Sequence, residues 1–199
     1  AELNDLNDNP LPDCDLVFSI NNQNYTRTTN DDGKASIAIN LIPGKYLANI
    51  YFLGNNQYSP LNKSVNVNVL PTISGNDLVK YYKNDSQFVV KTFVNSQKNV
   101  TFKINGVSYL RSIDDEGYAK LNINLNPGDY IITATNPKTN EMYSNVITVL
   151  SPISENDNLV KYYKNDSQYS IRLLDNEGNP VGANVSATFN INGVFYTRY

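Results

Sequence analysis

The residues of this chain that could do chemistry are the carboxylates of two acidic turns. The first turn contains Asp31 and Asp32, and the second contains Asp114, Asp115 and Glu116. Carboxylate oxygens suit calcium, which takes about six to eight oxygen ligands in proteins. Neither turn has the residue spacing of the calcium-binding loop between two helices, which ends in a distal glutamate. Acidic residues before glycine are also typical of plain turns. We therefore interpret both as structural turns and keep their five acids as weak calcium candidates.

Catalysis by side-chain nucleophiles is disfavoured by what the chain lacks. It has no histidine, which removes Ser-His-Asp and Cys-His catalysis and the most common zinc ligand. A pair of carboxylates could still act as in a glycosidase, but such a pair needs a cleft, which small β domains in tandem rarely form. The sequence predicts no enzyme, no catalytic residue and no cofactor. The single cysteine, Cys14, cannot form an internal disulfide.

A covalent brace is a further chemical possibility. Lys80 or Lys83 on one strand could form an isopeptide bond with Asn145 on another strand. The reaction needs a buried, neutral lysine beside a carboxyl group that promotes the attack. No acid lies on an obvious middle strand, so solvated lysines are the preferred interpretation and the isopeptide bond stays an alternative.

Charge and hydropathy exclude several classes of partner. The formal net charge is −3, with 16 Lys and Arg against 19 Asp and Glu, whereas nucleic-acid binding depends on clustered positive charge. No run approaches the roughly 18 apolar residues of a membrane-spanning helix, and no signal sequence opens the chain. The sequence predicts no nucleic-acid partner, and any attachment to a membrane or wall is expected through regions outside this chain.

Six asparagines lie in Asn-X-Ser/Thr sequons and are possible N-glycosylation sites if the chain is exported. They are Asn24, Asn62, Asn84, Asn99, Asn165 and Asn184. Asn84 and Asn165 occupy equivalent positions of an internal repeat.

That repeat organises the whole chain. "LVKYYKNDSQ" occurs at residues 78–87 and again at 159–168, and hairpin-like segments at 18–27, 102–111 and 189–198 resemble one another. We infer one module of about 80 residues present in three copies. The predicted domains are residues 1–70, which lack the first strand; 71–150, which are complete; and 151–199, the first half only. This pattern predicts a window from a longer array, in which short junctions such as "VLSPISEND" limit hinge freedom.

The second copy shows the period-two alternation of β-strands. Val100, Phe102 and Ile104 are predicted on one face, and the Asn105-Gly106 pair after them is a strong hairpin signal. About seven short strands follow one another without helical periodicity. The predicted fold class is therefore all-β, with tandem antiparallel immunoglobulin-like β-sandwich modules.

Two further features refine this fold. "LIPGKY" ends at Tyr46 and "LNPGDY" at Tyr130, and each predicts a tyrosine corner, in which the hydroxyl bonds to backbone a few residues upstream. Residues 78–83 are predicted to be the opening strand of the module. In that strand Val79 and one tyrosine seal the sandwich edge, while Lys80 and Lys83 stay in solvent and discourage stray pairing.

The segments "LVKYYKNDSQF", "VTFKINGVSY" and "DDEGYAKLNINLNPGDYIITA" resemble the tandem Ig-like repeats of methanogen adhesin-like proteins, which are large archaeal cell-surface proteins. The resemblance covers essentially the whole chain, although the first copy departs with "INNQNY" and "LIPGKY". It implies export, attachment at the cell surface, and a role in adhesion or spacing.

Two functions follow as hypotheses. The preferred one is an extracellular adhesin or stalk segment that binds an unknown surface glycan or protein. The alternative is a filament-forming surface protein, in which a strand of one chain completes a module of another by β-strand addition. A carbohydrate-binding module would instead require exposed aromatic side chains on one face.

Overall fold

The computed structural model describes residues 1–93 and 99–199. Within them all regular structure is β, which confirms the predicted all-β class, and no helix there could span a membrane. The chain divides into two compact units, Ala1–Pro71 and Thr72–Tyr199, and each is described by itself.

The first unit is built on one antiparallel sheet. Its strands are β1 (Asp15–Ile20), β2 (Gln23–Thr28), β3 (Gly44–Phe52) and β4 (Leu61–Val69), in the order β2-β1-β3-β4. The core beneath the sheet contains Leu3, Cys14, Leu16, Phe18, Ala35 and Phe52. Among the described residues β4 pairs with β3 alone, so its other edge is open and Val65 is 36% exposed.

The second unit begins with a complete sandwich formed by the second copy of the module. Its strands are β5 (Ile73–Gly75), β6 (Leu78–Tyr81), β7 (Gln87–Thr92), β8 (Asn99–Ile104), β9 (Val107–Ser112), β10 (Tyr118–Asn122), β11 (Gly128–Thr135) and β12 (Met142–Leu150). Three strands form one sheet, β10-β7-β5, and five form the other, β6-β12-β11-β8-β9. Side chains of both sheets share one core, which is the predicted immunoglobulin-like architecture.

Period-two alternation along the strands determines which side chains form this core. Val100, Phe102 and Ile104 of β8 are all buried, as predicted. Phe102 meets Phe88 of the facing sheet edge-to-face, with ring centroids 5.8 Å apart. Asn105 and Gly106 close the β8–β9 hairpin with φ of 49° and 77°, the positive values that a type I′ turn requires.

The predicted opening strand at residues 78–83 corresponds to β6, and an additional strand, β5, lies before it in the predicted junction. The described residues of this copy therefore contain eight strands rather than about seven. β5 pairs antiparallel with β7, whereas β6 pairs parallel with β12. This parallel pair is an exception to the predicted antiparallel arrangement. The crossover is fixed by Asp77, whose carboxylate accepts hydrogen bonds from Asn145 Nδ2 at 3.0 Å and from the Val146 backbone nitrogen at 2.8 Å. These bonds hold the pKa of Asp77 below its usual value.

The third copy contains two small two-stranded sheets. One pairs β13 (Ile153–Ser154) with β14 (Arg172–Leu173), and the other pairs β15 (Ala187–Ile191) with β16 (Val194–Arg198). Residues 159–168 repeat the sequence of 78–87 but form no strand there, and Tyr162 and Tyr163 are 87% and 90% exposed. The same residues become a strand only beside a partner such as β12, because strand pairing is a tertiary interaction.

Candidate functional site

Lys80 lies inside the second sandwich, which corrects the prediction that it stays in solvent. The residue is only 4% exposed. Its ammonium donates hydrogen bonds to the carbonyl oxygens of Ser86, at 3.1 Å, and Ile123, at 3.0 Å. Burial lowers the pKa of Lys80, and the negative charge of Asp85 acts in the opposite direction. The lysine therefore ties β6 to the turn that follows it and to the backbone after β10.

The structure does not bring Lys80 to Asn145. Lys80 lies opposite Val149 on β12, four residues beyond Asn145 and thus about 13 Å along the strand. The side-chain nitrogen of Asn145 donates instead to Gly75 O and to Asp77. Lys83 follows Tyr81, which lies opposite Leu150, five residues beyond Asn145 and thus about 16 Å along the strand. Neither lysine has the geometry of the isopeptide alternative.

The inward face of β6 also differs from the prediction for Val79. Val79 is 64% exposed, whereas Leu78 and Tyr82 pack against the core. Parallel pairing with β12 fixes the register, and a period of two then turns Leu78 and Lys80 inward together. The edge is sealed by Leu78, Tyr82 and the aliphatic stem of Lys80.

A tight turn follows β6 at residues 81–84. The Asn84 backbone nitrogen donates to Tyr81 O at 3.0 Å, Lys83 has a φ of 61°, and the side-chain oxygen of Asn84 accepts from the Ser86 nitrogen at 2.9 Å. The third copy has the same turn at residues 162–165. There the Asn165 nitrogen donates to Tyr162 O at 3.0 Å.

Because this turn forms in the third copy without a neighbouring strand, it is encoded locally by the repeated decapeptide. Its lysine contact recurs as well, since Lys161 Nζ lies 2.9 Å from Ser167 O. In the second copy the turn lies where the sandwich ends, because the Tyr82 nitrogen donates to Leu150 O at 3.0 Å. A segment that opens the module in sequence therefore lies in space beside the exit to the next copy.

The acidic turns use their polar side chains to hold backbone. The side-chain oxygen of Asn30 accepts from the nitrogens of Asp32, at 3.1 Å, and Lys34, at 2.9 Å. Asp114 accepts from the Tyr118 nitrogen at 2.7 Å and lies 3.7 Å from the ammonium of Lys120. Within residues 1–93 and 99–199, no three Asp, Glu, Cys or His residues are grouped so that they could hold a metal ion. The five calcium candidates are not brought into such a group.

The two tyrosines of the predicted corners make equivalent hydrogen bonds. Tyr46 Oη donates to Ile42 O at 2.8 Å, and Tyr130 Oη donates to Asn126 O at 2.9 Å. Each hydroxyl thus reaches the carbonyl four residues upstream and ties the start of β3 or β11 to the loop before it.

The sequons differ in accessibility. Asn24, Asn62, Asn165 and Asn184 are exposed, whereas Asn84 and Asn99 are half-buried. Asn84 differs further from its equivalent Asn165 because its side-chain nitrogen donates to a backbone oxygen of the third copy.

Sequence reasoning did not identify an open apolar groove in the third copy. It has a volume of about 780 Å³, and its lining includes Tyr169, Leu173, Phe189 and Tyr196. Tyr169 and Phe189 meet edge-to-face, with ring centroids 6.0 Å apart. This pair resembles Phe88 and Phe102 of the second copy, but the groove leaves it open to solvent.

No protein-family model and no curated protein match this chain. Among solved structures, a bacterial 1.5-MDa ice-binding adhesin is similar over 72% of this chain and 54% of that chain, with 11% identity and a TM-score of 0.25. Fibronectin(III)-like modules of Clostridium thermocellum CbhA are similar over 76% and 85%, with 12% identity and a TM-score of 0.31. The BSP domain of a biofilm-associated protein is similar over 69% and 25%, with 21% identity and a TM-score of 0.28. At this level of similarity, the function has to be argued from the residues of this chain.

Proposed function

We propose that this chain is a non-enzymatic segment of an extracellular adhesin or stalk, in which repeated Ig-like modules hold a binding region away from the cell surface. One observation carries the proposal, namely the direct succession of the second and third copies. β12 ends at Leu150 and β13 begins at Ile153, and the Leu174 nitrogen donates to Pro152 O at 2.8 Å. A junction this short, with a backbone hydrogen bond at its proline, limits how far one copy can rotate relative to the next.

The proposal includes the division into three copies at residues 1–70, 71–150 and 151–199. Its partners are an unknown surface glycan or protein, and anchoring to a membrane or wall is assigned to regions outside this chain. The resemblance of the decapeptide and hairpin motifs to methanogen adhesin-like repeats supports this assignment. The exposed sequons suit an exported glycoprotein.

Negative-stain electron microscopy of the purified longer protein tests the stalk. We expect beaded rods whose length grows by about 40 Å per module, a strand length plus a junction. Engineered versions with one module fewer or one more provide the matched control, since rod length should change in equal steps. Flexible coils without a regular step would contradict the proposal.

A second candidate, a filament formed by strand complementation, is favoured by two unpaired edges. Among the described residues, β4 has one free edge and residues 159–163 have no strand partner. In the second copy, Leu78 lies opposite Ile147 and Lys80 opposite Val149. The same register would place Leu159 of another molecule beside Val67, and Lys161 beside Val69, in parallel pairing.

Light scattering and electron microscopy of this chain at rising concentration test the filament. We expect long regular fibres that shorten when a synthetic LVKYYKNDSQ peptide competes for the β4 edge, while a scrambled peptide has no effect. Monomers of 22.3 kDa at every concentration would eliminate this candidate.

A further inference from the structure

The turn at residues 81–84 touches a loop of the following copy. Asn84 Nδ2 donates to Asn176 O at 2.8 Å, and Asn176 Nδ2 donates in return to Lys83 O at 3.5 Å. The backbone of Gly178 lies against the Tyr81 ring so closely that a Cβ added there would be 2.2 Å from Tyr81 Cε2. A reciprocal pair of hydrogen bonds and an aromatic face therefore join the two copies.

The loop that makes this contact is held in shape by its own residues. Asp175 Oδ1 accepts from the backbone nitrogens of Glu177, at 2.9 Å, and Asn179, at 2.8 Å. Gly178 has a φ of 87°, a value that side chains rarely adopt. Because these bonds form within the loop, little conformational entropy is lost when it meets the turn.

A loop with the same hydrogen bonds lies in the first unit, at residues 5–10. Asp5 Oδ1 accepts from the nitrogens of Asn7, at 2.8 Å, and Asn9, at 2.9 Å. Asp8 occupies the place of Gly178 and also has a positive φ, of 61°. In both loops the asparagine is followed by proline. The first and third copies therefore share the pattern Asp-x-x-x-Asn-Pro, which residues 93–98 of the second copy lack.

We propose that residues 81–84 are a docking surface for the Asp-x-x-Gly-Asn-Pro loop of the third copy, and that this joint fixes the angle between the second and third copies. The repeated decapeptide then has two roles. Leu78 and Lys80 close the core of their own module, while Tyr81 and Asn84 face the next one. This inference goes beyond the proposed function, because the short junction at residues 151–152 would by itself support a stalk without fixing one angle between the two copies.

Two glycines of the third copy provide a matched test. Gly178→Ala introduces a Cβ that collides with Tyr81, whereas Gly193→Ala imposes similar backbone strain, at a φ of 82°, with no atom within 4 Å of its Cβ. Spin labels at the exposed residues Leu110 and Phe195, in a Cys14→Ala background, report the distance between the second and third copies. We expect a narrow distribution for the parent chain and for Gly193→Ala, and loss of the narrow peak for Gly178→Ala.

A second pair of variants leaves the loop itself unchanged. Asn84→Asp keeps the side-chain oxygen that accepts from Ser86 but replaces the donor to Asn176 O with a second oxygen. Asn165→Asp makes the same change in the equivalent turn of the third copy. We expect the distribution of distances between the spin labels to broaden for Asn84→Asp and to stay narrow for Asn165→Asp. A parent distribution as broad as that of Gly178→Ala, or a narrow distribution retained by both Gly178→Ala and Asn84→Asp, would overturn the joint.

Discussion

Alanine substitution of equivalent phenylalanines tests whether the second copy has a closed core and the third copy an open one, as the structure describes. Phe102 of the second copy is 0% exposed and meets Phe88 edge-to-face. Phe189 is its equivalent in the third copy and lines the open groove. Phe102→Ala and Phe189→Ala thus delete the same ring from a closed core and from an open one.

The expected cost of Phe102→Ala has three parts. Loss of the free energy gained by burying the ring costs about 1.5–3 kcal/mol, loss of the edge-to-face pair costs about 0.5–1.5 kcal/mol, and the cavity left behind adds to both. The total agrees with the roughly 3–5 kcal/mol typical of buried phenylalanine truncations. Phe189 is half-buried and can be replaced by water, so we expect its truncation to cost about 1 kcal/mol or less.

Urea denaturation followed by far-ultraviolet circular dichroism measures both costs. Hydrogen exchange of peptides from β8 and β15 follows the second and third copies separately, since a chain with several modules need not unfold in one transition. Equal losses from Phe102→Ala and Phe189→Ala, or a loss below about 1 kcal/mol for Phe102→Ala, would refute the account of a closed second core.

Three further predictions concern single side chains. Burial holds the pKa of Lys80 in the folded chain below the usual 10.5. Between the pKa of the folded chain and that of the unfolded chain, the unfolded chain binds a proton that the folded chain has released. The free energy of unfolding of the second copy should therefore rise with pH in that window. Urea titrations across the window should show the rise in the parent chain and its loss in Lys80→Met. Tyr130→Phe and Tyr46→Phe each delete one hydrogen bond and should cost about 0.5–1.5 kcal/mol in thermal denaturation; no loss at either position would contradict the predicted corners. When the folded chain is incubated with an oligosaccharyltransferase and its lipid-linked sugar donor, mass spectrometry should find higher occupancy at Asn165 than at Asn84, whose side-chain nitrogen is engaged by the third copy; equal occupancy would contradict this.

Much of the fold could be predicted because its signals are local. The hairpin at Asn105 and Gly106 needs only positive φ at two adjacent residues, and the burial of Phe102 follows from alternation along one strand. The hydroxyl contacts of Tyr46 and Tyr130 likewise span four residues. Such features depend on neighbours in sequence, which a single sequence displays.

The environment of Lys80 could not be predicted in the same way. Its orientation depends on parallel pairing with β12, about 70 residues away. A charged side chain on an opening strand normally indicates solvent, and here the carbonyls of Ser86 and Ile123 make burial tolerable. The repeated decapeptide shows the same limit, since residues 78–81 are a strand and residues 159–162 are not.

Sequence motifs also could not predict the contact between the second and third copies. The pattern Asp-x-x-x-Asn-Pro at Asp5 and Asp175 was visible in the sequence and indicates a turn. A turn pattern does not reveal what its backbone touches, so the docking of Gly178 on Tyr81 required the structure. A search for residues shared by the first and third copies would have singled out this loop.

Immunogold electron microscopy of the source cells tests the central claim most directly. Antibodies raised against the second copy should label intact, unpermeabilised cells on the outside of the envelope, because a surface stalk presents its modules to the medium. Pre-incubation of the antibodies with this chain should abolish the label. Label that appears only inside the cell after permeabilisation would contradict the assignment of this protein to the cell surface.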